Sequence, residues 1–103
     1  MTKISFKKFS KIDTEKFKSL NLEWLDTYFK VEPIDEIVLN NPEREVIDKG
    51  GFIFMIQKNY YTIGTFAFIK KSEKIYEFSK MAITPNQRGN GYGNMAMEFL
   101  IQF

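Results

Sequence analysis

From Ile75 to Phe103 the chain reads IYEFSKMAITPNQRGNGYGNMAMEFLIQF, and this stretch leaves the fewest choices for local structure. Pro85 lacks the N–H that a β ladder requires, so an apolar strand over Ile75 to Ile83 stops there. Gly89, Gly91 and Gly93 follow in one loop. Beyond them, Asn94 to Phe103 contains Met95, Ala96, Met97, Glu98, Phe99 and Leu100, most of them good helix formers. The segment predicts a strand, a glycine-rich turn and the start of a helix.

That order has a chemical use. The first turn of a helix leaves backbone N–H groups without partners, and the summed peptide dipoles place roughly half a positive charge there. Glycines let a ligand approach the backbone without obstruction by Cβ. The product is an anion site suited to phosphates. A bare G-x-G is a weak signal. Here the spacing is Arg88-x-x-Gly91-x-Gly93, directly after a strand ending Met81-Ala82-Ile83-Thr84-Pro85.

This stretch resembles the coenzyme-A-binding motif of the GNAT-type N-acetyltransferases, Q/R-x-x-G-x-G/A between a strand and a helix. Tyr76 to Ile83 and the upstream Ile63-Gly64-Thr65 are similar to that family as well. The resemblance covers most of the chain. It implies an α/β (α+β) fold of GNAT type, and acetyl transfer from acetyl-CoA to a small-molecule or peptide amine by direct attack. Backbone N–H groups of Arg88, Gly89, Asn90, Gly91, Tyr92, Gly93 and Asn94 would then hold the pyrophosphate of coenzyme A. The strand edge at Met81, Ala82 and Ile83 would hydrogen-bond the pantetheine arm, and the Arg88 guanidinium would add charge near a phosphate. The plainer reading of the loop is a strand–helix connection with glycines for tight turning.

Glu77 is the candidate catalytic residue. An ammonium nucleophile must lose a proton before it attacks. A carboxylate partly buried in a strand can accept that proton directly or through water. By simple alternation Glu77 shares a face with Ser79, Met81 and Ile83; a bulge, common in this strand of the family, changes that. The family's usual acid, a Tyr on a later helix, has no position here, and Tyr92 in the loop does not match it. The resemblance also places Glu32, with Asp35 and Glu36, in the region that shapes the acceptor site, and Tyr28 is a candidate for lining a pocket. Read by pattern alone, those carboxylates are a solvated helix face, and Trp24, Tyr28 and Phe29 belong to a core stripe. Lys80 is expected to pack its stem and expose its head. Lys70, Lys71 and Lys74 read as a solvated hairpin turn, with approach to the ribose 3′-phosphate as the alternative.

At 103 residues the chain is expected to form one domain spanning residues 1–103. Its hydrophobic content of 44%, with 11 Phe and 5 Tyr, predicts an aromatic core. A formal charge of +2 is too small to imply nucleic acid. Without Cys or His there are no disulfides, thiolate nucleophiles or imidazole bases, and no metal site is expected. The N-terminus carries no apolar run fit for a signal peptide or a membrane span, so a cytoplasmic protein is expected.

The rest of the chain reads in order. Ile4, Phe6 and Phe9 alternate with polar residues as a first strand. Asp13 or Thr14 caps a helix that ends near Lys30, with Phe17, Leu20, Trp24, Leu25, Tyr28 and Phe29 on its apolar stripe. A short helix follows Pro33, and a further helical turn spans Pro42 to Asp48. Phe52 to Ile56, Tyr61 to Ile69 and Ile75 to Ile83 form an antiparallel meander with Lys70 to Lys74 as its second turn. Gly64 marks a weak point or a close approach. Strands apolar on both sides call for helices on both faces.

Family members usually continue past this helix with a strand, a helix and one or two further strands. The expectation is therefore a fragment of a longer acetyltransferase, or a chain that self-associates through the edge of its last strand, as a homodimer or as a non-catalytic coenzyme-A-binding remnant. A remote rival is an RNA-binding module, since Gly51 to Met55 faintly resembles the aromatic strand of an RNA-recognition motif. Ile53 stands where that motif needs a small residue.

Overall fold

A computed structural model of the chain describes residues 3–102. Phe103, expected at the end of the last helix, lies outside the described residues. Strand β1 (Ile4–Lys8) leads through a 3-10 turn, Lys11–Asp13, into helix α1 (Thr14–Tyr28). Helix α2 (Pro33–Asn40) and a π-helical turn, Glu43–Ile47, follow. Then come β2 (Phe52–Lys58), β3 (Tyr61–Ser72), β4 (Ile75–Ile83), a second 3-10 turn at Pro85–Gln87 and helix α3 (Tyr92–Gln102).

The four strands form one antiparallel sheet in sequence order, which makes β4 an edge. One layer of core packs Phe17 and Leu20 of α1, Leu39 of α2 and Val46 against Ile53, Met55, Ala67 and Ala82. The other packs Tyr92 and Ala96 of α3 against Phe54, Ile56, Phe66 and Ile83. Helices thus cover both faces, as continuous apolar strands require. The α3 face is aromatic: the Phe99 ring lies 4.8 Å from Phe6 and 5.0 Å from Phe54, and Phe66 stacks on Phe54 and Phe78, each at 5.5 Å. Met97 and Ile101 on the outer side of α3 stay exposed. No helix of the described residues is long and apolar enough to cross a membrane.

Three local readings change, and a fourth, at Gly64, is decided. The Asp13 carboxylate does not cap α1; it turns back to accept from the Ser10 N–H at 3.0 Å and Lys7 Nζ at 2.7 Å. Helix α1 stops at Tyr28, and Phe29 is extended and exposed rather than part of the stripe. Strand β3 runs on to Ser72, which shortens the hairpin turn to Glu73 and Lys74. Gly64 is a close approach: a Cβ there would lie 2.6 Å from Ile83 Cδ1 and 2.8 Å from the Ala82 carbonyl oxygen.

Candidate functional site

The site begins where β4 leaves the sheet. The Thr84 N–H donates to the Ile63 carbonyl at 2.8 Å, the last backbone bond to β3. Main-chain groups alternate in direction along a strand, so Ile83 turns its own outward and Ala82 turns its own toward β3. Pro85 then opens the 3-10 turn, closed by the Gln87 N–H on the Thr84 carbonyl at 3.0 Å, and the Asn90 side chain donates its Nδ2 to the Gln87 carbonyl at 2.9 Å.

Gly89 and Gly91 adopt left-handed φ of 83° and 78°, conformations that glycine takes without strain. Nothing lies within 4 Å of where a Cβ would stand on either, so both open onto free space. The Met95 N–H is the first in the helix to find a partner, the Gly91 carbonyl at 3.2 Å. Among the described residues, no acceptor meets the six backbone amides from Gly89 to Asn94. The Tyr92 side chain is buried in the α3 layer and offers only its amide to the loop. Six unpartnered N–H groups, glycine-cleared space and the positive end of α3 form a cradle that can hold a phosphate or diphosphate.

Arg88 does not aim its charge into that cradle. Its Nε donates to the Ile83 carbonyl at 2.9 Å, and its Nη2 pairs with Glu23 Oε1 of α1. The guanidinium lies 4.8 Å from the Trp24 ring and 5.2 Å from the Tyr28 ring. The guanidinium is attached to α1 instead. It also occupies the one outward carbonyl at Ile83, leaving the Ile83 amide on the open edge. Ala82, fully buried opposite Thr65, has its main chain turned inward, so it does not present the expected contact for a pantetheine arm.

Strand β4 carries a bulge. Its register with β3 passes from Ala67–Ser79 to Thr65–Ala82, so Lys80 and Met81 together oppose Phe66. Lys80 takes a left-handed φ of 51° there. The extra residue moves Met81 and Ile83 to the face opposite Glu77 and Ser79, overturning simple alternation. Lys80 turns into the protein instead of exposing its head: Nζ bonds Asp35 Oδ1 at 2.7 Å, with both side chains 15% exposed. That bond, outweighing the cost of desolvation and aided by the Glu32 N–H, holds the Asp35 carboxyl below its ordinary range.

Two clefts meet at the bulge. One, of about 240 Å3, lies between α1 and the β4 edge and is lined by Asn21, Trp24, Leu25, Phe29, Ser79, Lys80 and Met81. The other, of about 400 Å3, lies between α2 and the β3–β4 hairpin; it shares Ser79 and Lys80 and adds Ile34, Val38, Lys70 and Glu77. Glu77 thus faces a cleft, about 10 Å along the strand from Lys80 at the usual rise. It is not partly buried as the sequence suggested: its side chain is 54% exposed and stands 3.9 Å from Lys71. Tyr28 and Glu32 line neither cleft; Phe29 and Ile34 do. Lys70, Lys71 and Lys74 sit at the far end of the β3–β4 hairpin from the glycine loop.

Comparison with known proteins bears on the family and the fold. The family model described as acetyltransferase (GNAT) family matches residues 15–103. No curated protein sequence matches the chain. Among solved structures, an acetyltransferase of the GNAT family from Staphylococcus aureus MU50 superposes with a TM-score of 0.82 at 18% identity, over 97% of this chain and 64% of its own. A predicted acetyltransferase with acetyl-CoA from Clostridium acetobutylicum gives 0.72 at 19% identity, over 97% and 72%. A spermidine N-acetyltransferase from Vibrio cholerae, in complex with CoA and spermine, gives 0.69 at 18%, over 96% and 62%. At these identities the likeness speaks for the fold, and the chain spans less than two thirds of the first of them.

Proposed function

Because this chain belongs to the acetyltransferase (GNAT) family, we propose that it transfers an acetyl group from acetyl-CoA to an amine by direct attack. The observation that carries the proposal is the run of six amides without acceptors, Gly89 to Asn94, at the mouth of α3. A diphosphate suits them because it brings several acceptor oxygens and a charge that the helix dipole favours. The solved neighbours that carry acetyl-CoA or CoA support the same ligand.

From the cradle the pantetheine arm follows the open edge of β4, past the Ile83 amide, and brings the thioester to the bulge at Lys80 and Met81. The amine enters by the clefts that share Ser79 and Lys80. Lys80 is held away from the acceptor by Asp35, so its charge does not repel an ammonium group. Glu77 removes the ammonium proton through an intervening water, a role its exposure permits. A neighbour crystallised with spermine supports an amine as the acceptor.

The test is thiol release from acetyl-CoA in the presence of a panel of primary amines, peptides included. Release that depends on the amine is expected. Saturable coenzyme A binding with no amine-dependent release would leave a coenzyme site without transfer.

A further inference from the structure

We infer that Arg88 is a positioning residue for the coenzyme loop, acting through α1 rather than as a ligand of the phosphate. The inference rests on the coenzyme A reading above and assigns its loop a support. Four groups hold one guanidinium: the Ile83 carbonyl, the Glu23 carboxylate, and the rings of Trp24 and Tyr28. Only 17% of the Arg88 side chain is exposed. The bond to Ile83 closes a ring of chain from the end of β4 to Arg88, five residues on, immediately before Gly89. The bond to Glu23 fastens that ring to α1, 65 residues away in sequence. Glu23 is itself held, accepting from the Thr27 hydroxyl at 2.8 Å.

Two consecutive elements therefore leave the loop few ways to move. Gly89 and Gly91 by themselves would let the chain wander, because glycine loses the most conformational freedom on ordering. Arg88 fixes the near end of the loop, and α3 fixes the far end. The amides between them are ordered before any ligand arrives, which lowers the cost of binding. A planar fork that stacks on aromatic rings and bonds a carboxylate and a carbonyl together is a task for Arg and not for Lys.

The experiment is calorimetric titration of coenzyme A, and of pantetheine, into the unaltered chain and the variants Glu23→Gln, Arg88→Lys and Arg88→Gln. Emission of Trp24, the chain's one tryptophan, is recorded before ligand is added. Removing Glu23 takes away a negative charge near the cradle, so simple electrostatics predicts tighter coenzyme A binding. The positioning role predicts the opposite: Glu23→Gln weakens it about tenfold, Arg88→Lys fails to restore it, and the Glu23 and Arg88 effects overlap rather than add. Pantetheine, which lacks the diphosphate, binds all four proteins alike, and Trp24 emission shifts in each variant. Tighter binding by Glu23→Gln, or near-normal binding by Arg88→Lys, would mean that Arg88 serves as a charge on the phosphate and would overturn the inference. Absence of coenzyme A binding by the unaltered chain would instead remove the coenzyme reading, and the inference with it.

Discussion

Lys80 Nζ stands 2.7 Å from Asp35 Oδ1 and joins the bulge of β4 to the first turn of α2. The other carboxylate oxygen of Asp35 accepts from the Glu32 N–H at 3.0 Å, so one side chain caps a helix and anchors a strand irregularity. Lys80 holds a left-handed φ that costs a non-glycine residue about 1 kcal/mol or more. The ion pair offsets that cost and sets the wall common to both clefts.

Replacing Asp35 by Asn should destabilise the fold by about 1–3 kcal/mol at neutral pH, as expected for a charged hydrogen bond that is largely buried. The Lys80 bond holds the folded carboxyl below its ordinary 3.8. Its contribution is therefore complete above that value and is lost as pH falls through it and below. In urea unfolding, the gap between the native chain and Asp35→Asn should shrink as pH is lowered from about 5 to about 2. A gap that stays constant would contradict the assignment.

Gly64 and Gly91 should resist added side chains for different reasons. At Gly64 a Cβ would meet the Ala82 carbonyl oxygen and Ile83 Cδ1, so Gly64→Ala should lower stability by about 1–3 kcal/mol through overpacking. At Gly91 the space is open and only the left-handed φ penalises a side chain, by about 1–2 kcal/mol. Gly91→Glu should therefore fold, yet lose coenzyme A binding because its carboxylate enters the cradle. Thermal unfolding beside calorimetric titration of both variants checks the contrast.

The strand, loop and helix from Ile75 onward are legible in the sequence because Pro85 and three glycines punctuate them. The bulge is not. Ser79-Lys80-Met81 contains neither Gly nor Pro to signal a left-handed residue, and one extra residue reverses every later side chain. The partner of Lys80 lies 45 residues away, beyond the reach of any local pattern. The same holds for Arg88: its place in the motif is plain, but its attachment to Glu23 depends on how α1 crosses the sheet. Phe29 rather than Tyr28 lines the cleft beside α1, and the helix ends at Tyr28, two residues before the expected Lys30.

Glu77→Gln should leave coenzyme A affinity unchanged, since Glu77 stands on the far side of the bulge from the glycine loop. Amine acetylation should slow about a hundredfold if this carboxylate is the base. Steady-state kinetics with the best amine of the panel decides. An unchanged rate would place the proton's destination elsewhere.

The central claim, that the bare amides of Gly89 to Asn94 cradle a diphosphate, is tested most directly by NMR on 15N-labelled protein titrated with coenzyme A. The account predicts saturable shifts concentrated on the amide signals of Gly89, Asn90, Gly91, Tyr92, Gly93 and Asn94, and no such shifts with pantetheine. Saturable binding that leaves those six signals in place, or no binding at all, would contradict it.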